Sequence, residues 1–298
     1  MSPFSSRSSA SDVLRGVDLH GRTYLVTGAN SGLGLETVRA LRAAGASVIG
    51  AARTADKARA AFNEAGVEGA TGIGLELADL ASVRACVDEL ARENVKLDAV
   101  LCNAGIMALP KLELVQGVER QFFTNHVGHF TLVMGILERG LLKDDGRVVM
   151  TSSDAHAYGQ KKGLDVSNLD YHQGNYGPWL AYGNSKQANI LFAKALQRRV
   201  FAGSNRRAVS LHPGVIATNL QRSMPWIMQV IFSNIIGPFF LKNVGQGAAT
   251  QVFLATRDYE MQARGYWADC NPAKCLSAME SVELQDAVWE ATEKLCKL

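Results

Sequence analysis

Short apolar runs rich in β-branched residues alternate with longer amphipathic stretches from residue 23 onward. Runs of this kind predict buried strands, and the stretches between them predict helices. The predicted strands cover residues 23–27, 47–51, 71–77, 99–102, 147–151, 208–211 and 265–268. The predicted helices cover residues 33–44, 56–65, 82–92, 118–139, 180–201 and 246–256.

The alternation of strand and helix is typical of repeated βαβ units around a parallel sheet. No internal repeat or low-complexity linker divides the chain. We therefore predict a single α/β domain over residues 21–298, built on a Rossmann-type doubly wound parallel sheet of about seven strands. Ligands of such sheets bind at the carboxyl ends of the strands. Residues 1–20 are predicted to form a flexible N-terminal tail.

The composition of the chain limits which partners it is expected to bind and which cellular compartments suit it. Of the 298 residues, 47% are hydrophobic and 20% are charged, which is typical of a globular domain. The net charge of +3, with acids and bases interspersed, provides no basic stripe, so nucleic-acid binding is not expected. The five cysteines are scattered and odd in number, and no secretory signal precedes the first strand. We therefore expect a cytoplasmic or other reducing compartment.

Two residue pairs raise the question of a metal site. Cys270 and Cys275 have no histidine or second cysteine pair nearby, and His126 and His129 have no carboxylate or third ligand. Because zinc sites use three or four protein ligands, we predict no metal. Packing or hydrogen bonding is the expected role of both histidines.

The glycine-rich segment after the first predicted strand has the features of a phosphate-binding turn. It reads Thr-Gly-Ala-Asn-Ser-Gly-Leu-Gly over residues 27–34 and opens the first predicted helix. Glycines let a pyrophosphate approach the amides at the positive end of a helix, and a serine hydroxyl adds a donor. The predicted dinucleotide contacts in this turn are Gly28, Asn30, Ser31, Gly32, Leu33 and Gly34.

The ends of the next three strands complete the predicted nucleotide site. The second strand is followed by Arg53, and the acidic residue that would bind a ribose 2′-hydroxyl is missing there. A guanidinium can instead pair with a 2′-phosphate, so NADP(H) is favoured over NAD(H) as cofactor. Further predicted contacts follow the third and fourth strands, namely Asp79, Leu80, Asn103, Ala104 and Gly105.

Tyr182 and Lys186 are one helical turn apart, so a helix over residues 180–201 places both on one face. An ammonium held close to a phenol favours the phenolate and lowers the pKa of the phenol. The pair therefore suits proton transfer on carbonyls and alcohols.

Together these motifs resemble the short-chain dehydrogenase/reductase family from about residue 21 to the C-terminus. The resemblance is carried by the glycine turn, Asn103-Ala104-Gly105, Asn125, Ser153, Tyr182 with Lys186, and Pro213-Gly214. Within the family, the runs 124–130, 181–189 and 212–214 are most similar to the retinol dehydrogenase group. Plastid Tic32-like reductases and WW-domain oxidoreductases share these features.

The resemblance implies a role for each residue of the catalytic set. Tyr182 would be the general acid in carbonyl reduction and the general base in alcohol oxidation, and Lys186 would lower its pKa and hold the nicotinamide ribose. Ser153 would hydrogen-bond the substrate oxygen, with Ser152 as an alternative, and Asn125 would help hold a proton-relaying water. The predicted cofactor contacts also include Tyr182, Lys186, Pro213, Gly214, Val215 and Thr218.

Two segments are predicted to shape the substrate site. Residues 154–179 are rich in polar, glycine and aromatic residues and predict a loop or small hairpin over the pocket. Residues 223–241 carry no charge and fall where the family has its substrate lid. An apolar lid predicts a bulky hydrophobic carbonyl or alcohol, such as a retinoid, steroid, lipid aldehyde or pigment-like compound. Peripheral membrane contact through 223–241 and a true span are the alternatives, although Pro225 and Pro238 interrupt the segment.

Two rival functions stay open. A light-driven reductase of the protochlorophyllide type would need a lid of this size, but the chain has Val215 where that family carries a cysteine. A dinucleotide-sensing scaffold with little catalysis is allowed by the Tic32 resemblance, which also leaves plastid association open. Monomer and homodimer are both compatible with the sequence.

Overall fold

The computed structural model describes residues 2–216, 242–259 and 265–297. Within these residues, eight strands form one sheet, in which β8 pairs antiparallel with β7 and every other pairing is parallel. The strands are β1 (Thr23–Thr27), β2 (Ser47–Ala52), β3 (Thr71–Gly74), β4 (Leu97–Cys102), β5 (Leu142–Thr151), β6 (Arg207–His212), β7 (Tyr266–Ala268) and β8 (Asn271–Pro272). The predicted single-domain, doubly wound α/β fold is confirmed, and β8 adds a short strand at the sheet edge.

The strand order is β8-β7-β6-β5-β4-β1-β2-β3, so the order reverses between β1 and β4. Tyr24 of β1 pairs with Val48 of β2 on one side and Ala99 of β4 on the other. Because the connections leave β1 and β4 in opposite directions, a crevice opens at their carboxyl ends. This crevice is the expected place for a ligand.

Helices cover both faces of the sheet and bury its strands. The helices are α1 (Ala10–Leu14), α2 (Gly32–Ala43), α3 (Ala55–Glu64), α4 (Leu80–Arg92), α5 (Gly128–Glu138), α6 (Pro178–Arg199), α7 (Val244–Thr256) and α8 (Val282–Cys296). The core on one face takes side chains from α1, α2, α3 and α7, and the core on the other takes them from α4, α5, α6 and α8. All six residues of β4 are buried, as expected for a central strand covered on both faces.

The predicted helix 118–139 is broken into several elements, so its predicted start was wrong. Val118–Glu119 pairs with Leu114–Val115 in a small hairpin, and a short helical turn, Arg120–Phe122, follows. Phe123–Val127 then forms a π-helix before α5 begins. A π-helix widens the turn by one residue, which an apolar pattern of helical period does not reveal.

The N-terminal segment is packed onto the domain, so the prediction of a flexible tail over 1–20 was wrong for residues 9–20. Ala10, Val13 and Leu14 are buried against α7, and Ser9 caps α1 with a reciprocal capping box. The Arg257 guanidinium donates to the Val13 carbonyl oxygen at 2.8 Å. The contacts with α7 and Arg257 are long-range in sequence and could not be predicted from local composition, whereas the Ser9–Asp12 capping box was a local signal that was missed.

The third predicted strand differs at its end, whereas residues 154–179 form the loop that was one of the two predicted alternatives. The third strand ends at Gly74 rather than residue 77, because the chain turns at Glu76 ahead of α4. Residues 154–179 contain no hairpin anywhere in this fully described segment. The segment starts with a 3-10 helix, Asp154–Tyr158, continues without regular structure and enters α6 at Pro178.

The apolar segment 223–241 lies in the stretch 217–241, outside the described residues. Ile216 and Lys242, which flank that stretch, form an isolated parallel bridge. The Lys242 amide donates to the Val215 carbonyl oxygen at 2.8 Å. Among the helices of the described ranges, none has the length and apolar character to cross a membrane.

Candidate active site

Tyr182 and Lys186 lie one turn apart on α6, as the sequence predicts. Both side chains are buried, and Lys186 Nζ lies 5.4 Å from the centroid of the Tyr182 ring. Nζ donates a hydrogen bond to the Thr151 carbonyl oxygen at the end of β5, at 3.1 Å. The pair is therefore held beside the carboxyl edge of the sheet.

Burial controls the protonation of both groups, because a charge is costly away from water. Burial raises the pKa of the Tyr182 phenol to about 12, and a hydrogen bond with Ser153 opposes part of the rise. Burial lowers the pKa of Lys186 to about 8. The pKa of the phenol is therefore raised rather than lowered in the chain by itself, so the phenol keeps its proton at neutral pH. The effect of Lys186 on that pKa stays a prediction.

The structure separates the roles of the two neighbouring serines. Ser153 is half-buried and forms the hydrogen bond with Tyr182, and its Oγ also accepts from the Ala155 amide at 3.1 Å. Ser152 is fully buried, and its Oγ donates to the Lys186 backbone carbonyl at 2.8 Å. Ser153 is thus the serine that contacts the phenol, whereas Ser152 binds the backbone of α6.

Asn125 lies in the middle of the π-helix and is fully buried. Its Oδ1 accepts from the Ile106 amide at 2.8 Å, and its Nδ2 donates to the Ile106 carbonyl oxygen and to Ser185 Oγ, both at 2.9 Å. Ser185 Oγ donates to the Tyr182 carbonyl oxygen at 2.7 Å. The side-chain amide therefore ties the segment after Gly105 to α6, and its part in a water relay stays a prediction.

Backbone contacts leave no room for side chains in the glycine turn. A Cβ on Gly34 would lie 2.1 Å from the Gly28 carbonyl oxygen, and a Cβ on Gly28 would lie 2.9 Å from Ala104 Cα. Gly28 and Gly32 have φ of 68° and 52°, which glycine adopts without strain. Ser31 is the N-cap of α2, and its hydroxyl makes no capping hydrogen bond. The amino end of α2 therefore presents amides and a hydroxyl suited to an anion.

The other predicted nucleotide contacts divide into exposed and buried groups. Asn30 and Arg53 are exposed, and the described residues provide no hydrogen bond or ion pair to the Arg53 side chain. Leu33 is partly buried against the core of the first face. Asp79 is exposed but caps α4, accepting from the Ala81 amide at 2.9 Å, and the Leu80 side chain is buried. The structure thus gives Asp79 and Leu80 local structural roles, and their contact with a nucleotide stays a prediction.

Asn103 and Ala104 follow β4 and lie directly against the glycine turn. Asn103 Nδ2 donates to the Thr27 carbonyl oxygen at 2.9 Å. Thr27 Oγ1 accepts from the amides of Asn103 at 3.0 Å and Ala104 at 2.9 Å. Thr27 was not predicted as part of the site, although its place directly before the first glycine was a usable signal.

Gly105 connects this turn to the Tyr182 and Lys186 pair. A Cβ on Gly105 would lie 3.1 Å from Asn125 Oδ1 and 3.5 Å from Lys186 Nζ. The nucleotide half and the proton-transfer half of the site are therefore in contact.

The segment after β6 brings Pro213, Gly214 and Val215 to the same edge of the sheet. Gly214 has φ of 95°, and a Cβ there would lie 2.6 Å from Lys242 Cδ. Val215 is 51% exposed, which is unusual for so apolar a residue in this chain. The predicted contact Thr218 lies outside the described residues.

One exposed aromatic residue contacts the phenol, and a second contacts the first. The rings of Trp179 and Tyr182 meet edge to face at 6.1 Å, and those of Tyr158 and Trp179 do so at 6.3 Å. Tyr158 is 65% and Trp179 is 40% exposed. Neither was predicted individually, although the aromatic character of 154–179 pointed to this segment.

The two histidines serve packing and hydrogen bonding, as predicted. His126 Nε2 lies 2.9 Å from Thr292 Oγ1, and His129 contacts Thr27 Oγ1 and the Asn125 carbonyl oxygen, also at 2.9 Å. Burial lowers the pKa of His126 to about 3 and that of His129 to about 4. Over the part of the chain that is described, no group of three or more potential ligands is arranged to hold a metal ion.

Comparison with known sequences identifies the family to which this chain belongs. The short chain dehydrogenase family pattern matches residues 22–164. Retinol dehydrogenase 14 of Homo sapiens is 35% identical over 302 residues, which cover 94% of this chain and 88% of that protein. The chain belongs to the short-chain dehydrogenase family. The resemblance seen in the sequence is confirmed.

Further relatives of this short-chain dehydrogenase have similar length. The chloroplastic short-chain dehydrogenase TIC 32 A of Brassica napus is 34% identical and covers 99% of this chain and 94% of its own. A crystal structure of a protein from Mycobacterium paratuberculosis is 35% identical, with a TM-score of 0.75 and 97% of each chain covered. Family membership makes the protein an oxidoreductase that acts on CH–OH or C=O groups with a nicotinamide dinucleotide.

Proposed function

We propose that this short-chain dehydrogenase is an NADP(H)-dependent oxidoreductase of a bulky hydrophobic carbonyl or alcohol, with Tyr182 as the general acid and base. The observation that carries the proposal is a buried phenol at the carboxyl edge of a doubly wound sheet. The phenol is hydrogen-bonded to Ser153 and lies next to Lys186. A bound nicotinamide dinucleotide would supply or accept the hydride.

The protonation of Tyr182 suits carbonyl reduction. A phenol whose pKa is raised to about 12 carries at neutral pH the proton that carbonyl reduction needs. Efficient transfer of that proton needs a pKa nearer the working pH, which a neighbouring ammonium favours. The Ser153 hydroxyl can hydrogen-bond the same oxygen, since it already contacts the phenol. The Lys186 ammonium lies close enough to the ring to stabilise the phenolate that remains.

The residues of the nucleotide half fit a dinucleotide phosphate group. Gly28 and Gly34 occupy positions where a Cβ would collide with the turn, and the uncapped Ser31 hydroxyl lies at the amino end of α2. Arg53 supports the preference for NADP(H), because its guanidinium is exposed and lacks a partner among the described residues. A 2′-phosphate would provide that partner.

The rim of the site supports a hydrophobic substrate. The exposed Trp179 packs against the Tyr182 ring, and the exposed Tyr158 packs against Trp179. Val215 is also exposed and follows β6 at the carboxyl edge of the sheet. Burying such area stabilises a complex by about 25 cal/mol per Å². Retinol dehydrogenase 14 is a relative whose name states a bulky apolar alcohol. The contribution of 223–241 as a lid or membrane contact remains a prediction from the sequence.

The test compares Tyr182→Phe with the parent chain for NADPH oxidation across a panel of hydrophobic aldehydes. We expect kcat to fall by roughly 10²- to 10⁴-fold, because general acid catalysis contributes about that much. Tyr24→Phe is the matched control, since Tyr24 is also buried but lies towards the amino end of β1. Equal activity of Tyr182→Phe and the parent would refute the catalytic role. NADPH binding without activity in either chain would favour a dinucleotide-sensing scaffold.

A further inference from the structure

His129 is a fully buried histidine with a partner at each ring nitrogen. Nδ1 lies 2.9 Å from the Asn125 carbonyl oxygen, and Nε2 lies 2.9 Å from Thr27 Oγ1. Thr27 ends β1 at the glycine turn, and Asn125 lies in the π-helix beneath Gly105. The ring therefore joins the two halves of the site.

The partners of His129 determine which nitrogen carries the hydrogen. A carbonyl oxygen only accepts, so Nδ1 must donate to Asn125. The ring is neutral because burial lowers the pKa of His129 to about 4, so Nε2 has no hydrogen. Nε2 must then accept from the Thr27 hydroxyl.

This assignment completes the hydrogen bonding of Thr27. A hydroxyl donates one hydrogen and accepts two. Thr27 Oγ1 accepts from the amides of Asn103 and Ala104 and donates to His129, whereas the alternative acceptor, the Leu101 carbonyl oxygen, lies 3.5 Å away. His129 thus turns the hydroxyl so that both lone pairs face the turn after β4.

The chain of contacts continues from His129 to the proton-transfer residues. The Asn125 side chain contacts Ser185 Oγ, and Ser185 donates to the Tyr182 carbonyl oxygen. Thr27, His129, Asn125 and Ser185 therefore form one buried hydrogen-bonded network from the glycine turn to α6. Such networks fix geometry because each member restricts the next.

We propose that His129 is a positioning residue, which orients the Thr27 hydroxyl and the Asn125 carbonyl and so sets the nucleotide turn relative to the Tyr182 helix. The expected effect of His129 on turnover rests on the proposed function. Its effect on the Thr27 hydroxyl and on cofactor affinity does not. Within the described part of the chain, His129 makes no hydrogen bond to the Tyr182 phenol or to Lys186, although the charge of Lys186 helps to lower the pKa of His129. We therefore infer that it acts through Thr27 and Asn125.

The first test is the tautomer of His129 in the protein without added cofactor, measured from the ring nitrogen shifts by ¹⁵N NMR. We expect a neutral ring with the hydrogen on Nδ1, although neutral imidazole in water favours Nε2–H. Thr27→Val should change the Nε2 shift and leave the Nδ1–H signal in place. A ring with its hydrogen on Nε2, or a charged ring at pH 7, would overturn the proposal.

The second test measures NADPH dissociation constants for His129→Phe, His129→Gln and His129→Asn. His129→Phe removes both hydrogen bonds, and we expect affinity to fall about tenfold or more, in line with two lost buried hydrogen bonds. His126→Phe is the matched control, because His126 is equally buried three residues earlier but contacts Thr292 in α8. An equal loss of affinity in the two phenylalanine variants would reduce His129 to a packing residue.

The conservative variants separate the two contacts. A glutamine can offer an acceptor to Thr27, so His129→Gln should recover most of the NADPH affinity. An asparagine can offer a donor to the Asn125 carbonyl, so His129→Asn should recover kcat more than it recovers affinity. Affinity equal to that of His129→Phe in both variants would contradict the assignment. Because the affinities are measured without turnover, they stand even if Tyr182→Phe were to retain full activity.

Discussion

The two halves of the site are built by different means. The nucleotide half is made by backbone geometry, since Gly28 and Gly34 are fixed by positive φ or by close approach and Ser31 and Arg53 project outward. The proton-transfer half is made by buried side chains, and Tyr182 and Lys186 depend on hydrogen bonds from several elements. Steric fit determines which residues the nucleotide half accepts. In the proton-transfer half, the free-energy cost of a charge away from water determines which groups are ionised.

This difference predicts different responses to substitution. A change in the nucleotide half should alter binding through shape or through one exposed charge, with little dependence on pH. A change in the proton-transfer half should alter protonation, and its effect should vary with pH. The following variants test this contrast.

Gly34→Ala should have the largest effect on the nucleotide half. Its Cβ would lie 2.1 Å from the Gly28 carbonyl oxygen, so the turn must open. We expect loss of NADPH binding and a free energy of unfolding lower by about 1–3 kcal/mol, as for other overpacked sites. Titration of NADPH fluorescence and urea unfolding measure the two effects.

Gly74→Ala is the control for this variant, because a Cβ at Gly74 would meet its nearest neighbour at an ordinary 3.6 Å. Normal NADPH affinity in Gly34→Ala would show that the close packing of the turn is not required for binding.

Arg53→Ala should discriminate between the two nicotinamide cofactors. Loss of a charge-assisted contact should weaken NADPH binding by roughly 10- to 100-fold. NADH affinity should stay within about twofold, since NADH lacks the 2′-phosphate. Arg59→Ala removes the same charge from α3, where Arg59 pairs with Asp56, and controls for long-range electrostatics. A matching loss for NADPH and NADH would refute the specific role of Arg53.

Lys186→Met should produce a smaller effect that depends on pH. The pKa of Lys186 is about 8 in the folded chain and 10.5 for an unperturbed lysine. Between these values the unfolded chain binds more protons, so this group makes the free energy of unfolding rise with pH. Below pH 8 the charged group is buried at full cost in the parent chain.

Urea unfolding of both chains at pH 7, 8, 9 and 10 would measure this contribution. Phenols and thiols whose pKa is raised lower the free energy of unfolding as the pH rises, but those away from Lys186 are common to both chains and cancel in the difference. Tyr182 lies beside Lys186 and does not cancel, but it contributes only from about its ordinary pKa of 10.0 upward. The parent should gain stability relative to Lys186→Met as the pH rises above 8. Parallel pH profiles would contradict the lowered pKa.

The nucleotide half could be predicted from the sequence because its determinants are local. A glycine in a strand-to-helix turn indicates by itself that a side chain does not fit there. The bounds of β1 and the start of α2 were predicted to within a residue or two. The roles of Asp79 and Leu80 were harder to predict, because these two residues lie between the third strand and α4. Asp79 caps that helix, and Leu80 packs in the core.

The proton-transfer half could be predicted only as a set of residues. Nothing local in Ser152-Ser153 tells which hydroxyl faces the phenol, since that depends on where α6 crosses β5. The pKa of Tyr182 is raised rather than lowered because the phenol is buried, and that burial depends on how α6 packs against the rest of the fold. The π-helix at Asn125 is likewise a product of tertiary contacts.

The backbone bridge between Val215 and Lys242 has a consequence for protein engineering. Val215 and Lys242, on either side of residues 217–241, are joined by a 2.8 Å backbone hydrogen bond, so the two ends of that stretch are fixed next to each other. The entropy of closing a loop grows slowly, by about 0.6 kcal/mol for each doubling of its length. We therefore expect chains in which residues 217–241 are exchanged for a segment of another length to keep the bridge between Ile216 and Lys242, so that a change of substrate preference can be tested at this junction.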